Sequence, residues 1–349
     1  MKEEEIIIKT LNGKKFSTKK VDWQRFLKIS NRNALSGVLY KKIQLFNIDI
    51  PNEINEELKK FYLHNTKRNL VLLNELKKML TKLEHYKKDA VLIKGFSIIA
   101  VTKQDFGERF LTDIDLLCLK DERNITKKIK TLGYKEKNDY SEKFYKKHFH
   151  HYKPLTKRVG GMKVIIEIHH QLEQVNSPFE IPINEISKKK TDLFDMKIYI
   201  PKIEDSLIYL CTQTSYDNFF LLGIRNLLDI KKIIEKEELN WNNIIIKSKK
   251  WNCSSFVYKA LSLSKKLLNA KIPNNVLKKI MNNSSKYQLF ILSLTEKELF
   301  TKKSLFLITL KRWLLRILLA RNMKQRITLF FEALSFLVLR IKKAIFKKE

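Results

Sequence analysis

The 349-residue chain carries 70 Lys and Arg against 37 Asp and Glu, a net charge of +33, and 44 % of it is apolar. That apolar content supports a sizeable core and excludes general disorder, while 8 Gly and 6 Pro are too few for a turn-rich β architecture. Cys118, Cys211 and Cys253 are widely spaced and form no CxxC pair, which excludes a disulfide framework. The start, Met1-Lys2-Glu3-Glu4-Glu5, has no apolar h-region, so no signal peptide and a reducing cytosolic home are expected. Lys, Ile and Asn are all plentiful, the mark of an AT-rich genome, and the lysines are dispersed without interleaved aromatics. Charge alone therefore leaves nucleic-acid binding unsupported.

In chain order, residues 1–87 read as an N-terminal helical region in which Pro51 opens one helix and Glu56–Glu84 form the next, long one. Residues 88–200 hold the sheet: strand Ala90–Ile93, helix Phe96–Thr102, strand Asp113–Leu119, helix Asp121–Leu132 with Asp121 as N-cap, and strands near Phe149–Leu155 and Met162–His170 across a Gly160-Gly161 turn. Residues 201–300 are a C-terminal helical region in which Asp205 starts the first helix and Pro273 punctuates a later one. Residues 301–349 form a tail both basic and apolar.

The stretch from Val91 to Leu119 is the most informative. A turn, Lys94-Gly95-Phe96-Ser97, comes directly after one apolar run, and Asp113-Ile114-Asp115 opens another. Successive strand residues alternate faces, so Asp113 and Asp115 point the same way and can close on one hard cation. A glycine turn opening a helix offers N–H groups and a positive dipole end to phosphate. The run MKVIIEIHHQ from Met162 reads as a buried strand with Glu167 and His169 on one face and Ile166 and Ile168 on the other. A carboxylate in such a run is costly unless paired or metal-bound. These residues point to a metal–nucleotide site. Arg109 stands shortly before the acidic pair, and a cation there, like Lys94, would stabilise charge building on pyrophosphate. His148, His150, His151, His169 and His170 cluster, but the spacing lacks HExxH or a cysteine partner, so strand histidines are expected, with His151 and His169 facing one cleft. Arg225 and Asp229 read as an i,i+4 ion pair.

With Gly95 and Ser97, Asp113 and Asp115, and Glu167 in that order, the chain resembles the bacterial uncharacterised nucleotidyltransferase group of the polymerase-β-like nucleotidyltransferase superfamily. Ile93-Lys94-Gly95, Arg109, Glu167-Ile168-His169, Arg68-Asn69 and Arg225-Asn226-Leu227-Leu228-Asp229 match the narrower group, over roughly 23–273. Two positions depart from the pattern: Phe96 separates Gly95 from Ser97, and Glu167 stands where Asp is commoner. The resemblance implies an α+β fold, a small mixed-sheet core flanked by N- and C-terminal helical regions. It implies Mg²⁺, or Mn²⁺, held by Asp113, Asp115 and Glu167, which also serve as the catalytic carboxylates. It implies an NTP bound by Lys94, Gly95, Ser97, Arg109 and His169, and NMP transfer to a hydroxyl or phosphate acceptor the sequence does not name. A nucleotide or polyanion binder that has lost turnover is the alternative reading.

From Thr301 to Glu349 the chain has 13 Lys or Arg against Glu332 and Glu349, a net of +11 in 49 residues. No uncharged apolar stretch is long enough to span a bilayer. Thr328, Glu332, Ser335 and Lys342 share one narrow helical face, leaving a wide apolar one. Such a tail is expected either to close the bundle as core helices or to dock on an anionic membrane surface.

Overall fold

The structure, a computed structural model, describes residues 2–137, 139–220, 223–300 and 305–345. Helices α1 (Glu3–Leu11), α2 (Trp23–Arg32), α3 (Ser36–Leu45) and α4 (Asn52–Lys82) lead into strand β1 (Ala90–Ile93) and helix α5 (Lys94–Thr102). Next come β2 (Ile114–Cys118), α6 (Glu122–Lys130), β3 (Lys135–Glu136), α7 (Glu142–His148), β4 (Leu155–Val159) and β5 (Met162–His169). A hairpin of β6 (Lys188–Leu193) and β7 (Met196–Pro201) precedes helices α8 (Ile203–Thr212), α9 (Arg225–Lys236), α10 (Trp241–Lys250), α11 (Ser254–Leu268), α12 (Asn274–Asn282) and α13 (Lys286–Ser293). Two last helices, α14 (Leu305–Leu319) and α15 (Met323–Ile345), form the tail.

The fold is α+β, a mixed sheet in the order β1-β2-β5-β4-β3 surrounded by helices. Strand β2 runs antiparallel to β1 and parallel to β5, and β4 runs antiparallel to both β5 and β3. The parallel pair requires a crossover, which α6, β3, α7 and β4 supply. Every residue of β1 and β2 is buried, as expected of strands covered on both sides. In β5 the buried Val164, Ile166 and Ile168 alternate with Glu167 on the other face. The register is pinned where Val159 faces Met162 across Gly160 and Gly161, whose φ of +52° and +78° only glycine adopts without strain.

Three expectations are corrected. Pro51 opens the long helix itself, because Asn52–Asn55 join α4 despite their weak helix propensity. Asp121 does not cap α6: it has φ +60° and no side-chain bond to the helix. The strand foreseen at Phe149–Leu155 lies instead at Leu155–Val159, since Pro154 has no N–H for a ladder and the Gly160-Gly161 turn pairs the residues on either side of it. Residues 150–152 nonetheless run beside the end of β5, with Tyr152 N donating to Ile168 O and His151 bridging His169. The β6–β7 hairpin, packed on β1, carries too many lysines to stand out as strands.

The tail packs as a hairpin of helices, α14 on α15, with Leu315, Leu319 and Leu329 buried. Glu332 turns inward, while Thr328 and Ser335 on the same predicted polar face stay exposed; the Lys342 side chain lies outside the described residues. The three cysteines are buried and free, and Trp251 is buried as a packing anchor. No helix among the described residues is long and apolar enough to cross a membrane.

Candidate active site

The segment between α5 and β2 is irregular and largely interior, so its backbone groups need partners. Helix α4 provides them. Asn69 Nδ2 donates to Phe106 O and Arg109 O at 2.8 and 2.6 Å, and its Oδ1 accepts from Leu111 N. Asn65 donates to Gly107 O, and Arg68 to Leu111 O and Thr112 O. Gly107 lies so close to Tyr62 that an added Cβ would sit 2.1 Å from its ring. From the other side Arg109 grips Asp229 of α9 with Nη2–Oδ2 at 2.8 Å and Nε–Oδ1 at 3.3 Å, both side chains buried. This clamp delivers the chain to Asp113, one residue before β2, and Asp115, its second residue.

Pairing of β2 with β5 sets Asp115 directly beside Glu167 and Leu117 beside His169. Asp115 Oδ1 accepts from Lys94 Nζ at 2.7 Å and lies 2.9 Å from His169 Nε2, which is 3.7 Å from Glu167 Oε2. Asp115 and His169 are buried; Asp113 and Glu167 are partly exposed at the mouth. Asp113 Oδ1 accepts from Thr112 Oγ1 at 2.8 Å. His151 Nε2 stands 4.0 Å from Glu167 Oε1, so the two histidines foreseen on one cleft do meet there.

Lys94 reaches Asp115 because its backbone is left-handed, φ +52°, at the strand-to-helix junction. A non-glycine residue held there costs on the order of 1 kcal/mol, and such positions concentrate at working sites. Gly95 has ordinary φ; its need for glycine is space, since an added Cβ would sit 2.8 Å from Leu111 Cδ2. Ser97, buried in the first turns of α5, lines a small recess with Lys94 and Tyr209.

The electrostatics are those of crowded carboxylates. Burial, then the charge of Asp115, pushes Glu167 up to about 8, and the same causes raise Asp113 to about 6. Burial acts against the Lys94 ammonium, but Asp115 together with Tyr209, Glu167 and Asp113 outweighs it and holds its pKa well above the usual value. Burial keeps His169 neutral, with Lys94 adding to the effect, and its Nδ1 is buried without a hydrogen-bond partner. One ligand atom each from Asp115, Glu167 and His169 lies within 4.8 Å of the others. Opposite ligands around a six-coordinate Mg²⁺ lie about 4.2 Å apart, so small side-chain shifts would seat such an ion. A divalent cation would also oppose the burial and the charge of Asp115 that raise the pKa of Glu167 and Asp113. The carboxylates of Asp115 and Glu167 and the imidazole of His169, with Asp113 beside them, form a candidate group for a divalent cation.

Beside this cluster a cleft of about 190 Å³ is lined by Gly95, Arg109, Asp113, Asp115, Gln213, Asn218 and Arg225. Arg225 borders it with its Nε buried and unpartnered, and Nη1 3.4 Å from Phe110 O. The expected Arg225–Asp229 pair does not form, because Asp229 is taken by Arg109. Arg109, expected to bind nucleotide, thus has its guanidinium committed elsewhere. Tyr209, whose buried hydroxyl lacks a hydrogen-bond partner near Lys94, had no signal in the apolar run of α8, and neither had Gln213 or Asn218.

The mixed sheet, with carboxylates on two adjacent parallel strands beside a helix N-terminus, is consistent with an α+β nucleotidyltransferase fold. The chain belongs to a family of uncharacterised nucleotidyltransferases, whose model matches residues 19–269. No curated protein matches the chain, and no solved structure does.

Proposed function

We propose that the protein is a divalent-metal-dependent nucleotidyltransferase that moves an NMP from an NTP to a hydroxyl or phosphate acceptor, releasing pyrophosphate. The observation that carries this reading is the placement of Asp115 and Glu167 side by side with His169, next to Asp113 and a cleft at the start of α5, in a chain of this family. Mg²⁺ or Mn²⁺ held by Asp115, Glu167 and His169, with Asp113 beside them, would neutralise phosphate charge and polarise the α-phosphorus.

The cleft is smaller than the several hundred Å³ that enclose a whole drug-sized ligand, so it suits the phosphates rather than the base. Gly95 presents the positive end of α5 to them, and Lys94 and Arg225 supply cationic charge. Glu167, partly exposed and deprotonated once a cation is bound, would take the acceptor proton. The acceptor oxygen then bonds to the α-phosphorus while its bond to the pyrophosphate oxygen breaks, in line. We assign Arg109 and Asp229 to positioning: together they hold the loop that aims Asp113.

Each α-labelled NTP, with Mg²⁺ or Mn²⁺ and cell extract as acceptor source, tests the reading. Label moved by the wild type and not by Asp113→Asn/Asp115→Asn supports it, and the labelled product identifies the acceptor. No transfer with any nucleotide, alongside nucleotide binding that the double variant retains, overturns it in favour of a non-catalytic binder.

A further inference from the structure

The tail hairpin presents on its outer side the kind of apolar face that globular helices bury. On α14, Phe306, Leu310 and Leu314, at i, i+4 and i+8, are 52 %, 53 % and 56 % exposed, opposite the buried Leu315 and Leu319. On α15, Ile327, Phe330, Phe331, Leu334 and Val338 are between 42 % and 60 % exposed. At 3.6 residues per turn they form one stripe roughly 100° wide. The same geometry puts exposed Lys324 at one edge of the stripe and Arg326 at the other. The only carboxylate in 305–345 is Glu332, which accepts from Asn176 Nδ2 at 2.9 Å and lies 3.5 Å from His148 Nδ1, on the inner side.

The hairpin cannot hide the stripe by rolling over, because its inner face is tied down. Gln325 donates to Asn176 O and Ser177 O at 2.9 Å, Arg321 donates to Pro178 O, and Phe336 packs on Phe144, Phe149 and His148. An apolar face of this extent marks an interaction surface. Its charge selects among occupants. A second copy would set one tail of net charge +11 against another, which like charges oppose.

We propose that this stripe docks the protein on the surface of an anionic phospholipid membrane. The apolar side chains enter the boundary between headgroups and acyl chains, and the exposed Lys324 extends to the headgroups. The net charge of +11 over 301–349 draws the hairpin to such a surface and not to a neutral one. The proposal stands independently of the transferase reading.

The test is sedimentation of the full chain with phosphatidylcholine vesicles, with and without phosphatidylglycerol. The chain pellets with the anionic vesicles only, and high salt weakens the binding. Phe331→Glu/Leu334→Glu, checked for an unchanged circular-dichroism melt, lowers affinity tenfold or more, and Lys324→Gln lowers it roughly fivefold. Should the double variant fail to fold, Lys324→Gln, at an exposed position, decides alone. Binding to neither vesicle, equal binding to both, variants that bind like wild type, or a dimer dispersed by the same substitutions overturns the proposal.

Discussion

The loop that precedes Asp113 and the C-terminal hairpin meet opposite problems. Residues 105–112 have no regular structure, so their buried carbonyls and N–H groups are satisfied by Asn65, Arg68 and Asn69 of α4, while Tyr62 donates to Asp105 and Arg109 is locked to Asp229. The hairpin satisfies its own backbone within two helices and is left with apolar side chains facing outward. Polar side chains in the first region hold a reactive carboxylate still. In the second they are confined to the rim and the inner face, and the remaining surface is open for contact. Rigidity at the site and apolar exposure at the tail therefore have different origins, hydrogen bonds in one and unburied area in the other.

Substitutions should separate the two regions. The largest effect is expected at Asp115: Asp115→Asn lowers transfer on the order of 10³-fold or more in the labelled-nucleotide assay, as removal of a central charge-stabilising group does. Next comes Arg109→Ala, which leaves Asp229 buried and unpaired and costs about 3–5 kcal/mol in urea unfolding. Replacing both residues by leucine should restore much of that stability while transfer stays low, because the loop is no longer aimed. A double variant as active as wild type would remove the positioning role. Asn69→Ala, which strands three backbone groups of the loop, costs about 2–3 kcal/mol, and amide exchange should rise first in residues 106–111.

The acidic cluster also sets a pH dependence. Glu167 and Asp113 have folded pKa values above their unfolded ones, so between roughly pH 4 and 8 these two groups bind more protons in the native protein than in the unfolded chain. Their contribution to stability is present at low pH and is lost as pH rises through the folded values. Mn²⁺ should therefore raise the melting temperature more at pH 8 than at pH 5.5. Equal Mn²⁺ effects at both would count against the cluster as the cation site. The smallest effect is expected at the rim, where Lys324→Gln changes unfolding free energy by less than about 0.5 kcal/mol while weakening vesicle binding.

Much of the site was legible before folding. The period of two placed Glu167 and His169 on one face of β5 and Asp113 with Asp115, and the pairing of β2 with β5 then joined them. The glycine of the turn was legible too, although the strained residue proved to be Lys94, since nothing in the order Lys-Gly-Phe-Ser says which residue takes the positive φ. Asp229 as the partner of Arg109 was not legible. The two lie 120 positions apart, and the local i,i+4 pattern favoured Arg225 instead. Arg68-Asn69 could be marked as a motif, but only the packing of α4 along residues 105–112 shows which groups its side chains hold.

By itself the sequence determined the elements that depend on local periodicity: the buried strands, the acidic positions on them, and a tail both apolar and basic. Local periodicity says which side chains share a face, not what that face meets. Tertiary structure decided that Arg109 is held by Asp229, that His169 rather than Asp113 completes the tight donor cluster, and that α15 turns Glu332 inward and its apolar stripe out. Those outcomes are contacts between residues distant in the chain, fixed only when every buried polar group has found a partner.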